Sequence, residues 1–170
     1  MLNYIDKIKN NIYFSHLCLI CINIIIGYAI TVIHDESIIM LFRIFSIIDI
    51  LIIGSSIISI IENQKEQNII IVILDLLLII VAFATIFAII YSFNPKSFEF
   101  SNQGIIYLDL LYFSFVTFTT LGYGDILPCT YLAKFTVSIE AFMFTCVIAL
   151  IVMNFSERLK KYLAVYKDEY

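Results

Sequence analysis

Long apolar stretches separated by short polar breaks dominate the chain. Four of them, residues 12–33, 38–61, 69–93 and 131–155, reach the length of about 20 apolar residues that a helix needs to cross a bilayer. The breaks after the first two stretches are short and polar, so the helices on either side should be antiparallel neighbours. The pattern therefore predicts an all-α membrane protein with four transmembrane helices.

A segment of a different kind lies between the third and fourth stretches. It contains both prolines of the chain, Pro95 and Pro128, and a further apolar and aromatic piece at residues 105–119. That piece is too short to cross a bilayer, and its position between two spanning helices is typical of a re-entrant helix. Asp109 lies near its start, where a negative charge stabilises a helix N-terminus. We expect this piece to enter and leave the membrane on the same side.

Composition and charge agree with a membrane location. The 170 residues are 62% hydrophobic and 14% charged, and the mean hydropathy is +1.00. A soluble domain needs more surface charge, so we expect a lipid bilayer around the protein. The net charge of −4 and the lack of a basic run give no indication of a nucleic-acid partner. The distribution of Lys and Arg among the loops predicts that both termini are cytoplasmic. We expect a multi-pass protein of the plasma membrane.

A short motif follows the re-entrant piece. The thirteen residues from Val116 to Pro128 are VTFTTLGYGDILP. Gly122 and Gly124 alternate with larger residues, and glycine adopts left-handed dihedrals without a steric cost. An extended strand with such dihedrals can point all its backbone carbonyls to one side, where they can replace the water around a dehydrated cation. Gly122 and Gly124 would allow such a strand at this point of the chain.

This motif resembles the signature of the potassium-channel pore family, TxxTVGYGD with a proline soon after, and the resemblance extends over residues 69–155. The resemblance implies a tetramer around one pore, with a selectivity filter that binds dehydrated K⁺. It implies no cofactor besides K⁺. The filter residues are Thr120, Leu121, Gly122, Tyr123 and Gly124. The first four are the implied K⁺ ligands through their carbonyls, together with the Thr120 hydroxyl at the inner end. Leu121 departs from the usual Val or Ile.

The resemblance also implies a set of supporting residues around the filter. These are Tyr112, Phe113, Thr117, Thr119 and Asp125. Tyr112 and Phe113 match an aromatic pair that packs behind the filter, although the alternative for both is an aromatic belt at the membrane interface. Val116 stands where some relatives carry a glutamate that pairs with the acid after the filter, so that pair is absent.

Four residues inside the apolar stretches are candidates for gating or proton sensing. They are Asp49, Asp75, Glu140 and Phe144. Ionisable residues within a membrane are costly and mark candidate functional sites, but each aspartate could equally bond a polar neighbour such as His16. We expect Glu140 to face the re-entrant helix. Phe144 stands where many family members have a glycine at which the inner helix bends.

The sequence thus predicts three parts: a two-helix region at 1–68, a pore domain at 69–155 and a short cytoplasmic tail at 156–170. A strong voltage sensor is not expected, because the second stretch has one arginine, Arg43. The expected function is passive, potassium-selective conduction by a homotetramer, without enzymatic activity and with an unidentified regulatory subunit as a further candidate partner. Two alternatives stay open: a non-conducting subunit of a heteromeric channel, and the membrane part of a potassium uptake transporter.

Overall fold

The structure is a computed structural model that describes residues 2–33, 47–61 and 69–168. Within these ranges most residues are α-helical, and the main parts outside the α-helices are residues 94–105 and 119–130. The helices are α1 (Leu2–Val32), α2 (Ile47–Ile61), α3 (Ile69–Phe93), α4 (Ile106–Phe118) and α5 (Tyr131–Asp168). A 3₁₀ turn at Pro95–Ser97 and two short strands, β1 (Phe98–Phe100) and β2 (Ile126–Pro128), complete the described elements.

Three helices of the described ranges are long and apolar enough to cross a membrane. They are Tyr13–Val32, Ile69–Phe93 and Tyr131–Met153. These correspond to the first, third and fourth predicted stretches. The second predicted stretch, 38–61, falls partly outside the described residues, and its described part is the shorter apolar helix α2.

Helix α3 forms the centre of the fold. Its residues are apolar all round, and a helix of that kind is stable only where it is covered on several sides. Accordingly it packs against α1 and against α4, and consecutive residues from Leu78 to Ala84 are buried. Three rings, Phe87, Phe98 and Phe113, then join α3, β1 and α4 at centroid distances of 5.4 to 5.7 Å. This aromatic cluster holds α4 beside the centre of the bundle.

Helix α4 has the length expected of a re-entrant helix. It has 13 residues, about 20 Å at 1.5 Å per residue, which is less than the roughly 30 Å hydrocarbon core. Before its first turn, the Gly104 N–H donates to the Asp109 carboxylate at 2.8 Å, so the acid predicted at this end organises the preceding loop. The helix ends at Thr119, whose φ and ψ of −83° and 4° leave the helical region.

A two-stranded ribbon closes the segment that contains α4. Strand β1 pairs antiparallel with β2, with Phe98 opposite Pro128 and Phe100 opposite Ile126. The ribbon continues on both sides, because Ser101 N–H donates to the Asp125 carbonyl at 2.9 Å and Cys129 N–H to the Ser97 carbonyl at 2.8 Å. The chain after the filter motif is thereby fixed to the chain that precedes α4.

Helix α5 is longer than the predicted inner helix. The predicted spanning stretch ends at residue 155, and α5 continues without a break through the predicted tail to Asp168. The residues of the predicted tail are therefore helical as far as position 168. The position of Phe144 does not interrupt the helix either.

Candidate ion-conduction site

The loop that follows α4 has an alternating backbone. Thr120, Gly122 and Gly124 have positive φ values of 59°, 49° and 77°, whereas Leu121 and Tyr123 between them do not. In a regular strand successive residues face opposite sides. In a regular strand successive carbonyls therefore point in opposite directions. When φ alternates in sign, successive carbonyls can all point to the same side. A β-branched residue with positive φ is uncommon and strained, and such strain is concentrated at functional sites.

Hydrogen bonds to the last turn of α4 hold the start of this loop. The Thr120 N–H donates to the Thr117 carbonyl at 3.0 Å, and the Leu121 and Gly122 N–H groups donate to the Val116 carbonyl at 2.8 and 3.1 Å. Carbonyls at the end of a helix lack partners within it, and here the loop supplies them. Within the described ranges, no backbone N–H donates to the carbonyls of residues 120–123. The N–H groups are thus used to anchor the loop, and the carbonyls stay available.

The electrostatic environment of the loop favours a cation. The C-terminal end of α4 lies at Thr119, directly before the loop, and carries the partial negative charge of the helix dipole. The carbonyl oxygens of residues 120–123 add further negative dipoles, and the Asp125 carboxylate follows at the other end. The charge distribution around the loop is therefore favourable for a cation.

Tyr112, Tyr123 and Asp125 come together beside the loop. The rings of Tyr112 and Tyr123 are nearly parallel, with an interplanar angle of 4° and a centroid distance of 6.5 Å. The Tyr112 hydroxyl also forms a side-chain hydrogen bond with Asp125. Partial desolvation, followed by the hydrogen bond and charge of Asp125, raises the pKa of Tyr112. The phenol therefore stays protonated and acts as the donor to the carboxylate.

The other predicted supporting residues occupy different positions. Phe113 is buried in the aromatic cluster with Phe87 and Phe98, and Thr119 donates to the Phe115 carbonyl of its own helix at 2.8 Å. Thr117 lines a cavity of about 310 Å³ behind the loop, whose far wall is α5. The structure thus brings Tyr112 and Asp125 to the outer part of the loop and places Phe113 in the core.

The two intramembrane aspartates lie among the helices around α3 rather than beside the loop. Asp75 on α3 is 3.0 Å from Nε2 of His16 on α1, and Ser59 of α2 also bonds to it. His16 is thus confirmed as a polar neighbour of Asp75. Asp49 on α2 is buried, its Oδ2 has no hydrogen-bond partner in the described part of the chain, and it interacts electrostatically with Tyr107 of α4.

Glu140 and Phe144 both face α4. Oε1 of Glu140 lies 2.5 Å from the Ser114 hydroxyl oxygen, and the Phe144 ring contacts Phe118 edge-to-face at 4.8 Å. Phe144 thus fills the space between α5 and α4 at the position where relatives have a glycine. Ser114 is a site residue that the sequence analysis missed. Its signal is a small polar residue between Phe113 and Phe115 in a largely apolar helix.

Comparison with known proteins places this geometry in a class. Within the described ranges, three helices are long and apolar enough to cross a membrane, and a shorter helix leads into a loop whose carbonyls have no backbone partner. The sequence profile of the family described as "Ion channel" matches residues 75–161, just over half of the chain. The chain belongs to this family, and its resemblance to the potassium-channel pore family is confirmed.

A curated relative supports the same assignment. The chain is 38% identical over 79 residues to "Potassium channel K2" of Plasmodium falciparum (isolate 3D7). The match covers 45% of this chain and 5% of that protein, so the chain spans about a twentieth of the relative's length. No solved structure matches the chain.

Proposed function

We propose that the chain is the subunit of a homotetrameric channel that conducts K⁺ passively and selectively across the plasma membrane. Residues 120–124 form the filter, and the bound ions are K⁺ held by the carbonyls of residues 120–123. One observation carries the proposal: the alternating positive φ at Thr120, Gly122 and Gly124 leaves a row of carbonyls without backbone partners. Such carbonyls replace the hydration shell of K⁺ in potassium filters.

The requirement for several copies follows from the number of filter strands. A single chain contributes one row of carbonyls, whereas a dehydrated cation must be surrounded, and closed cyclic symmetry is the usual way to surround an axis. The side chains of Leu121 and Tyr123 are 55% and 68% exposed in the single chain. Apolar and aromatic exposure of this extent supports contacts with neighbouring subunits on this side.

The proposed topology has four spanning segments, namely α1, α3, α5 and the apolar stretch 38–61, which contains α2, with both termini on the cytoplasmic side. Helix α4 then enters from the outer side, and its C-terminal end directs negative potential toward the membrane interior. The pore domain covers 69–155, and residues 1–68 form a separate two-helix region. Its single arginine supports weak voltage dependence at most.

Flux into liposomes tests this function and separates it from the two alternatives. Purified chain in liposomes should carry K⁺ down its gradient, exclude Na⁺ and be blocked by barium, without nucleotide or a second protein. An intact tetramer that carries no K⁺ would instead favour a non-conducting regulatory subunit. Flux that requires a separate nucleotide-binding protein would favour an uptake transporter, and equal Na⁺ and K⁺ flux would contradict selectivity.

The hydrogen bond between Tyr112 and Asp125 is expected to stabilise the conducting filter. Tyr112→Phe keeps the ring stacked on Tyr123 but removes the hydroxyl donor to Asp125. Losing one charge-assisted hydrogen bond should speed the decay of K⁺ current by about tenfold while K⁺ selectivity persists. Current decay in planar bilayers measures this effect, and Tyr131→Phe, a change at a 94% exposed residue of α5, is the control. Equal decay rates in both variants would mean that the bond does not support the filter.

A further inference from the structure

A buried serine joins three helices of the pore domain. Ser114 on α4 is fully buried, and its hydroxyl oxygen lies 2.9 Å from the Ile80 carbonyl oxygen on α3. The same oxygen lies 2.5 Å from Oε1 of Glu140 on α5, which is also fully buried. Helices α3, α4 and α5 therefore meet at a single hydroxyl group, which we call the Ser114 junction.

The number of hydrogens available at the Ser114 junction determines the protonation state of Glu140. The hydroxyl has one hydrogen but two close oxygen neighbours. A backbone carbonyl can only accept, so Ser114 must donate to Ile80, since otherwise two lone pairs would face each other in a buried contact. The hydrogen between Ser114 and Glu140 must then come from the carboxyl group, which means that Glu140 is the donor.

The burial of Glu140 leads independently to the same state. Its second oxygen, Oε2, has no hydrogen-bond partner among the described residues, and no ion pair to Glu140 occurs there either. An isolated carboxylate buried in this way would be very costly, and such groups take up a proton instead. A neutral carboxyl group costs much less and still forms the bond to Ser114.

We propose that Glu140 is a protonated positioning residue that holds α5 against the re-entrant helix through Ser114 and so maintains the conducting geometry of the filter. This inference rests on the proposed conduction through residues 120–124. Ser114 lies one helical turn before Phe118, the last residue of α4, which is followed by the loop that begins at Thr120. One turn beyond Glu140, the contact of Phe144 with Phe118 at 4.8 Å joins the same two helices. Any displacement of α5 from α4 would leave buried polar groups unpaired, so the two helices move together.

Infrared spectroscopy tests the protonation state without relying on a destabilised variant. The full chain, labelled with ¹³C at its glutamate carboxyl groups, is reconstituted in lipid and compared with E140Q. We expect the C=O stretch of a protonated carboxylic acid in the wild-type chain and its loss in E140Q, whose glutamine can still donate to Ser114. A wild-type spectrum without a protonated glutamate band would overturn the proposal.

Flux variants test the positioning role. E140Q should keep K⁺ flux within about twofold of wild type. E140L removes the donor to the Ser114 oxygen, and S114A removes the acceptor of the Glu140 O–H. Each of these two substitutions leaves a buried polar group without its partner and should lower K⁺ flux by about tenfold. In the double variant S114A/E140L both polar groups are removed, so flux should recover above that of either single variant. S55A, at an exposed serine of α2, is the matched control and should conduct as wild type does.

The outcomes separate this inference from the proposed function. A conducting wild-type channel in which E140L and S114A keep full flux and full K⁺ selectivity would overturn the positioning role alone. A wild-type chain that assembles but carries no K⁺ would overturn the proposed function, and the infrared band would still decide the state of Glu140. If E140L does not assemble, K⁺ flux through S114A and through the double variant decides whether the positioning role holds, because both of these variants lack the serine hydroxyl.

Discussion

Gly122→Ala is expected to abolish K⁺ flux while the protein stays folded in the membrane. Gly122 has a φ of 49°, and a Cβ atom added there would meet nothing within 4 Å in the single chain. The substitution therefore causes no steric overlap within the subunit, and its cost is that of holding alanine in the left-handed region, about 1–2 kcal/mol per residue. In a homotetramer the cost arises four times, about 4–8 kcal/mol in total, so the filter should relax to another conformation.

The measurement is K⁺ flux into liposomes, with assembly checked by size-exclusion chromatography. Gly54→Ala is the matched control, because a Cβ at Gly54 also meets nothing within 4 Å and its φ is not positive. Since Gly54 lies inside α2, alanine there should leave flux unchanged and stabilise the helix by up to about 1 kcal/mol. Wild-type flux in Gly122→Ala would contradict the filter geometry, whereas loss of flux in both variants would indicate a general sensitivity to alanine.

The glycine pair could be predicted from the sequence, but the conformation of Thr120 could not. Glycine between larger residues indicates positive φ, because it has no Cβ to clash. A β-branched residue indicates the opposite, yet Thr120 has a φ of 59°. Its N–H is held by the Thr117 carbonyl at 3.0 Å, and the following N–H groups bind the same turn of α4. The surrounding loop thus fixes a conformation that the residue type alone would exclude.

The lengths of the helices followed from the sequence, but their contacts did not. Apolar length alone predicts long helices at α1, α3 and α5 and a short one at α4, and the structure has helices of these lengths. Helices α3 and α4 are apolar nearly all round, so the sequence does not indicate which face meets which neighbour. The Ser114 junction depends on how each helix is rotated about its own axis. Polar residues in apolar helices indicate helix contacts more clearly, because each has few polar groups with which to bond. For Asp75 the sequence analysis named His16 among these groups, and the two side chains are in contact.

The region outside the family match also contacts residues inside the match. The match begins at residue 75, so α1 and α2 lie outside it. Even so, Gly27 on α1 lies directly against Tyr107 of α4, which is fully buried. The Tyr107 hydroxyl lies 3.5 Å from that of Thr85 on α3, which itself bonds the Asn23 carbonyl on α1 at 3.4 Å. Helix α1 is therefore packed directly on α4, the helix that precedes the candidate site.

Gly27→Ala is expected to be strongly destabilising, because this contact leaves no room for a methyl group. A Cβ at Gly27 would lie 2.0 Å from Cε2 and 2.4 Å from Cζ of the Tyr107 ring. The ring is enclosed by α1, α3 and α4, so it has no free space into which to rotate. Overpacking of this kind costs about 1–3 kcal/mol or more per site. The thermal midpoint of the assembled protein in detergent should fall by roughly 5–10 °C.

A second substitution distinguishes the steric overlap from other causes. Tyr107→Leu removes the ring carbons that the new methyl group would meet, so Gly27→Ala should cost much less in that background, a non-additive result expected of residues in contact. Tyr107→Phe removes only the hydroxyl and keeps the overlapping ring, so it should give no such relief. If Gly27→Ala were as harmless as Gly54→Ala, α1 could not be packed on α4 as described. If Gly27→Ala lowers the thermal midpoint equally in the Tyr107→Leu and Tyr107→Phe backgrounds, the destabilisation does not come from overlap with the ring. If only Tyr107→Leu relieves it, α1 is packed directly against α4.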